Sequence, residues 1–205
     1  MLHNLYIVDD DDAVRASLLR LVSGQATYAV RCFPSGDAFM AVADALEPGV
    51  LLLDFHMKGI NGLAVLNALR AQEKRFVTIM LTAHGAVQRS VDAMKAGAFD
   101  FVEKPYDPSA LMMCIDLAFS ELGRLRAESA GHEVALSRIA ELSPREADVL
   151  AGLATGHSNK QIAWALKISP RTVEVYRANL MVKLHARTLA EVLQLAFVAE
   201  QARAA

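Results

Sequence analysis

The sequence predicts two fold classes in succession: an α/β part, a (βα)5 doubly wound parallel sheet, and a small all-α part of four helices. Three observations carry this. Five short apolar runs alternate with segments of helical period. Those runs have few polar positions, as in strands covered on both faces by helices. Beyond residue 133 the strand pattern stops, while helix starts become well marked.

The first strand is 5–9, a short apolar run ending in acids, and Val14, Leu18, Leu21 and Val22 then recur at helical spacing. The second strand is 29–33, followed by a helix over 35–46. Pro48-Gly49 breaks the pattern before the third strand, 50–53, which runs into Asp54. Leu63, Leu66 and Leu69 mark the next helix. The fourth strand is 77–81, its helix 87–96, and the fifth strand 99–102. Asp107-Pro108 reads as an N-cap with proline at the first helical position. Leu111, Ile115, Ala118, Leu122 and Leu125 then form a long stripe.

The stripe weakens over Ser129-Ala130-Gly131-His132, which sets the expected organisation: 1–125, a linker over 126–141, and 142–205. In the last part Ser143…Glu146, Ser158…Gln161 and Thr188…Glu191 each fit a capping box, and Ser169-Pro170 a cap followed by proline. Helices are expected at 144–155, 159–166, 170–184 and 189–199. The short turn between the second and third suits a helix-turn-helix.

Composition narrows the function. Of 205 residues, 54% are hydrophobic and 21% charged, which points to a folded chain. No apolar run is long enough to span a membrane, no secretory signal precedes the first strand, and Cys32 and Cys114 cannot make a disulfide framework. A cytoplasmic protein with reduced thiols and no membrane partner is the expectation. Residues 1–125 carry 11 Lys and Arg against 15 Asp and Glu, whereas 126–205 carry 10 against 8. Within 155–190, Lys160, Lys167, Arg171, Arg177, Lys183 and Arg187 face only Glu174. An acidic part and a locally basic part point to different partners.

In a parallel sheet, ligands gather beyond the carboxyl ends of the strands. The residues there are Asp9, Asp10, Asp54, Thr82 and Lys104. Carboxylates held together repel unless a cation joins them. Oxygen donors without cysteine or clustered histidine favour a hard ion, Mg²⁺ first. Carboxylates, a metal, an ammonium and a hydroxyl together suit a phosphoryl group.

With these residues in place, 1–125 resembles a response-regulator receiver domain of bacterial two-component signalling. The motifs are Ile7-Val8-Asp9-Asp10, Leu53-Asp54, Leu81-Thr82-Ala83 and Glu103-Lys104-Pro105. The resemblance implies that Asp54 accepts a phosphoryl group from a sensor histidine kinase. It implies Mg²⁺ bound by Asp10, Asp54 and the His56 backbone carbonyl directly and by Asp9 through water, with Thr82 and Lys104 on the phosphoryl oxygens. Phe101 falls at the family's switch aromatic, and the Lys104-Pro105 bond is expected to be cis. The family usually has Met-Pro after the acceptor, where this chain has Met57-Lys58. Lys58 is expected to loosen that loop and add a cation. His84, two residues after Thr82, falls where the family tunes dephosphorylation.

The third helix of the last part can be read by angle. At 100° per residue, Val173, Tyr176, Leu180 and Leu184 fall in one wedge, and Arg171, Glu174, Val175, Ala178 and Val182 lie opposite. Residues 142–198 resemble a LuxR/NarL-type DNA-binding domain, on Leu142-Ser143-Pro144-Arg145-Glu146, Ser158-Asn159-Lys160-Gln161-Ile162-Ala163 and Ile168-Ser169-Pro170-Arg171-Thr172-Val173-Glu174-Val175. Arg177-Ala178-Asn179 is similar to the FixJ branch. The resemblance implies that Glu174, Val175 and Ala178 face bases of double-stranded promoter DNA. Lys160, Arg171, Thr172 and Lys183 are the phosphate candidates. Arg177 is divided between a salt bridge and a phosphate, and Trp164 is expected to pack in the core.

Together the resemblances imply a transcription regulator, not an enzyme in the ordinary sense. Phosphorylation at Asp54 would favour a homodimer through Val91 and Lys95 and release the DNA-binding helices. Two rivals fare worse. An aspartyl-phosphate phosphatase would want an acid where His56 stands, and a phosphorylation-independent DNA binder would not need the full acidic set.

Overall fold

The computed structural model describes residues 2–24, 27–70, 75–83 and 87–204. They form two compact units, Met1–Leu125 and Arg126–Ala205.

The first unit runs β1 (His3–Val8), α1 (Asp12–Ser23), β2 (Tyr28–Phe33), α2 (Gly36–Met40), a 3-10 turn (Ala43–Ala45), β3 (Gly49–Asp54), α3 (Gly62–Leu69), β4 (Phe76–Ala83), α4 (Val87–Lys95), β5 (Asp100–Lys104) and the start of α5 (Pro108–Ala140). All strand pairs are parallel, in the order β2-β1-β3-β4-β5. The expected doubly wound sheet is therefore present. The order reverses at β1, so the carboxyl ends of β1 and β3 flank the crevice where such sheets bind ligands.

Strand alternation divides the core in two. Tyr6, Val8, Leu51, Leu53 and Met80 face Phe39, Val65, Leu66 and Ala93. Leu5, Ile7, Val50, Leu52, Ile79 and Leu81 face Leu18, Val22, Leu111, Ile115 and Ala118. Every position of β3 is buried, and for that reason its sequence lacks polar alternation. The helix expected over 35–46 splits into α2 and the 3-10 turn. Val42, at φ −125° and ψ −1°, leaves the helical region between them.

The second unit holds the end of α5, then α6 (Pro144–Ala154), α7 (Asn159–Leu166), α8 (Pro170–Lys183) and α9 (Leu189–Ala204). Ser143 and Ser158 close capping boxes with Glu146 and Gln161. The third box forms only in part. Thr188 Oγ1 accepts from Glu191 N, but the Glu191 carboxylate reaches Arg187 N. Val149, Ile162, Ala163, Val173, Leu180, Leu184 and Val192 make the core.

Residues 126–140, expected in the linker, are helical. Ser129 and Gly131 lower helix propensity without ending a helix, and no proline stands between Pro108 and Pro144 to end it.

Candidate functional site

β1, β3, β4 and β5 bring the expected residues to one edge. Asp9 follows β1 and is almost fully buried, Asp54 ends β3 at 6% exposure, and Thr82 is buried near the end of β4. Asp10 is exposed beside them. Lys104, at the end of β5, donates from Nζ to Asp9 Oδ2 at 2.6 Å and to Asp54 Oδ1 at 2.7 Å. One carboxylate oxygen from each of Asp9, Asp10 and Asp54 lies within 4.8 Å of the others.

Burial pushes the Asp54 carboxyl above its ordinary pKa, and hydrogen bonding from Lys104 only partly offsets it. Burial also works against the Lys104 ammonium, but its bonds to Asp54 and Asp9 prevail and raise its pKa. Lys104 therefore stays protonated between two carboxylates that repel each other. One ammonium leaves Asp9, Asp10 and Asp54 with net negative charge. All their donor atoms are oxygen, so the pocket fits a hard divalent cation such as Mg²⁺.

Backbone bonds hold the acids in place. Asp54 Oδ2 accepts from His56 N at 2.8 Å, Asp9 Oδ1 accepts from Asp11 N at 2.9 Å, and Arg15 Nη1 donates to the Asp9 carbonyl at 2.6 Å. The loop after Asp54 is tied twice: Lys58 N donates to Asp10 Oδ2 at 3.2 Å and Ile60 N to Asp37 Oδ2 at 3.2 Å. Proline at position 58 would have no such hydrogen to donate. The departure at Lys58 thus gives Asp10 a backbone partner. A Cβ on Gly62 would lie 2.2 Å from the Asp54 carbonyl oxygen, so the start of α3 approaches Asp54 as only glycine allows.

Phe101 on β5 is 37% exposed and pairs in register with Met80, so it lies on the sheet face that α4 covers, as Thr82 does. Val91 and Lys95 are exposed on α4. The Lys104-Pro105 bond is cis, as expected. His84 lies outside the described residues.

On α8 the angular reading holds. Val173, Leu180 and Leu184 are buried and Tyr176 is half-buried. Arg171, Glu174, Val175, Ala178 and Val182 are exposed. Ser169 Oγ caps the helix by accepting from Thr172 N, and the Thr172 hydroxyl bonds back to it at 2.8 Å. Lys160 is exposed on α7.

Three residues depart from expectation. Trp164 is 86% exposed, not packed in the core. Ile162 and Leu166 share a face of α7, and Trp164, midway between them in sequence, lies about 200° round from each. Among the described residues Arg177 does not pair with an acid: its Nη1 donates to Asn159 Oδ1 at 2.7 Å, tying α8 to α7. Lys183 Nζ is held at 2.7 Å by Glu146 Oε2, so this phosphate candidate is already partnered. Glu146 is 4% exposed; Lys183 and the Ser143 N–H hold its carboxyl at a pKa of about 2. Its capping-box position was a readable signal for Glu146, but not for Lys183, which lies 37 residues away.

Two family models match the chain: response regulator receiver domain over residues 5–116, and bacterial regulatory proteins, luxR family, over 140–196. The transcriptional regulatory protein FixJ of Azorhizobium caulinodans is 44% identical, over 95% of this chain and 92% of that protein. Its Bradyrhizobium diazoefficiens counterpart is 40% identical over 94% of each. Among solved structures, the response regulator StyR aligns with a TM-score of 0.80 at 33% identity, covering 96% of this chain and 98% of that one.

Proposed function

This chain belongs to the response regulators that join a receiver domain to a LuxR-family DNA-binding domain, and we propose that Asp54 is its phosphoacceptor. It is a DNA-binding transcriptional regulator, and control by phosphorylation is that family's mode of action. A histidine kinase is the partner that a receiver implies. We assign 1–125 to the receiver, 126–141 to a linking segment and 142–205 to the DNA-binding domain.

One observation carries the acceptor assignment: Lys104 bridges Asp9 and Asp54 at the strand ends, with Asp10 within reach of both. An Asp54 oxygen attacks the phosphorus of the kinase's phosphohistidine. The P–O bond forms as the P–N bond breaks, and the imidazole leaves. Lys104 then exchanges its Asp54 oxygen for a phosphoryl oxygen, and the Thr82 hydroxyl donates to another. Mg²⁺, when bound, neutralises charge between the carboxylates and the phosphoryl oxygens. Asp10, Asp54 and the His56 carbonyl would hold it directly and Asp9 through water.

Incubation with acetyl phosphate and Mg²⁺ should add the mass of one phosphoryl group. Asp54→Asn should abolish the gain, as should EDTA. An undiminished gain in Asp54→Asn would overturn the assignment.

On DNA, Glu174, Val175 and Ala178 read the major groove, Glu174 by accepting from a cytosine amine. Lys160, Arg171 and Thr172 meet phosphates. Lys183 leaves that set because Glu146 engages it. In selection from random DNA, Glu174→Ala should change the preferred sequence; an unchanged preference would remove Glu174 as a base reader. The protein's action is assigned to the cytoplasm because its proposed partners are a kinase's phosphohistidine and promoter DNA; no described helix is long and apolar enough to cross a membrane.

A further inference from the structure

The phosphoacceptor pocket lies at the carboxyl ends of the strands. At the opposite end of β4, beside Phe76 and Thr78, the first unit contains a separate cavity of about 610 Å³. Its volume falls in the range of small-molecule sites, roughly 300–1,000 Å³. Leu69 of α3, Phe76 of β4, Phe99 before β5 and Leu125 of α5 give it apolar walls.

Its charged groups are few. Arg70, at the end of α3, is exposed and makes no ion pair among the described residues. Arg124 is engaged by Glu121 through paired contacts of 2.8 Å. The lining therefore carries an excess of positive charge, with Arg70 unmatched. Thr78 in the wall is 2% exposed, and its Oγ1 makes no hydrogen bond among the described residues. Burying a hydroxyl without a partner is costly. Rotation about χ1 exchanges that hydroxyl with the methyl group and changes what the wall presents.

We propose that this cavity binds a small organic acid: an anionic group on Arg70, and an apolar body between Leu69, Phe76, Phe99 and Leu125. The segment 96–99, which joins α4 to β5, also lines the cavity. A bound acid would brace that segment from the end of the sheet remote from Asp54. The assignment is independent of the phosphoacceptor reading.

The test uses the full chain and the fluorescent probe 8-anilinonaphthalene-1-sulfonate, an aromatic anion. It should bind saturably at one site per chain. 4-Phenylbutyrate should displace it, while 4-phenylbutylamine, with the same body and opposite charge, should be at least tenfold weaker. Arg70→Gln should weaken the probe and 4-phenylbutyrate by tenfold or more. Ala98→Leu, which adds bulk to the cavity wall, should weaken both as well. Trp164→Phe, which alters an exposed aromatic elsewhere, should change nothing. Unsaturable binding, equal displacement by the amine, or indifference to Arg70→Gln would overturn the proposal.

Discussion

Lys183 and Glu146 illustrate how a residue's surroundings decide its role. By charge and motif position, Lys183 looks free to meet a phosphate. The structure gives it a partner 37 residues earlier, a carboxylate that also caps α6. Because the folded pKa of Glu146 is depressed to about 2 from 4.5, its stabilisation is complete above pH 4.5. It is lost as pH falls from there through about 2. Glu146→Gln keeps an acceptor for the Ser143 N–H but loses the charge. At neutral pH it should cost roughly 1.5–3 kcal/mol, the range for hydrogen bonds to charged groups. Calorimetry should find that difference shrinking towards pH 2; a gap constant with pH would contradict the pairing. Trp164 shows a different failure of legibility. Residue type pointed inward, while the angle from Ile162 and Leu166 pointed outward, and angle decided it.

Among the elements, those with an unbroken apolar period were the most legible. β3 and α8 could be read directly, because burial on both faces of a strand, or on one wedge of a helix, leaves a pattern in residue type. The length of α5 could not. A run of small and polar residues lowers amphipathicity, yet helix continuation depends on the absence of a stop. The junction of β3 with α3 was also illegible, because a close approach leaves only a glycine as its trace. Gly62→Ala would drive its Cβ against the Asp54 carbonyl and to 3.0 Å from Met80 Cε. It should cost about 1–3 kcal/mol, as overpacking does, and slow phosphorylation by acetyl phosphate. Gly123→Ala, with nothing within 4 Å, should leave the phosphorylation rate unchanged and serves as the control. Equal rates in all three proteins would show that the approach does not position the acceptor. On α7 and α8, Lys160→Ala should weaken binding to all DNA sequences and reduce the salt slope by about one. Lys183→Ala should lower stability and leave the slope alone. The same loss of slope in both would return Lys183 to the phosphates.

For the whole molecule, the question is how a charge added at Asp54 reaches the DNA-binding unit. On the proposed reading, the receiver would supply a two-state element. Thr82 is buried on β4, and Phe101 on the neighbouring β5 lies on the same face of the sheet but is exposed. A phosphoryl group that draws Thr82 towards it would leave room for Phe101 to turn inward, and so would change the surface shared by α4 and β5. That surface already exposes Val91 and Met94, at 41% and 46%. Phosphorylation need only favour one of two arrangements for the population to shift. Pairing through this face would join two DNA-binding domains, and the second would then engage its half-site at a raised effective concentration. The 22.2 kDa chain should therefore sediment as a monomer without acetyl phosphate and as a dimer with it. Operator binding should tighten in parallel. Val91→Arg should still take up the phosphoryl group yet remain a monomer, because a charge on that face opposes its burial against a second copy. If both forms sediment with the same mass and bind operator equally, phosphate at Asp54 does not act through this surface, whatever its chemistry at the strand ends.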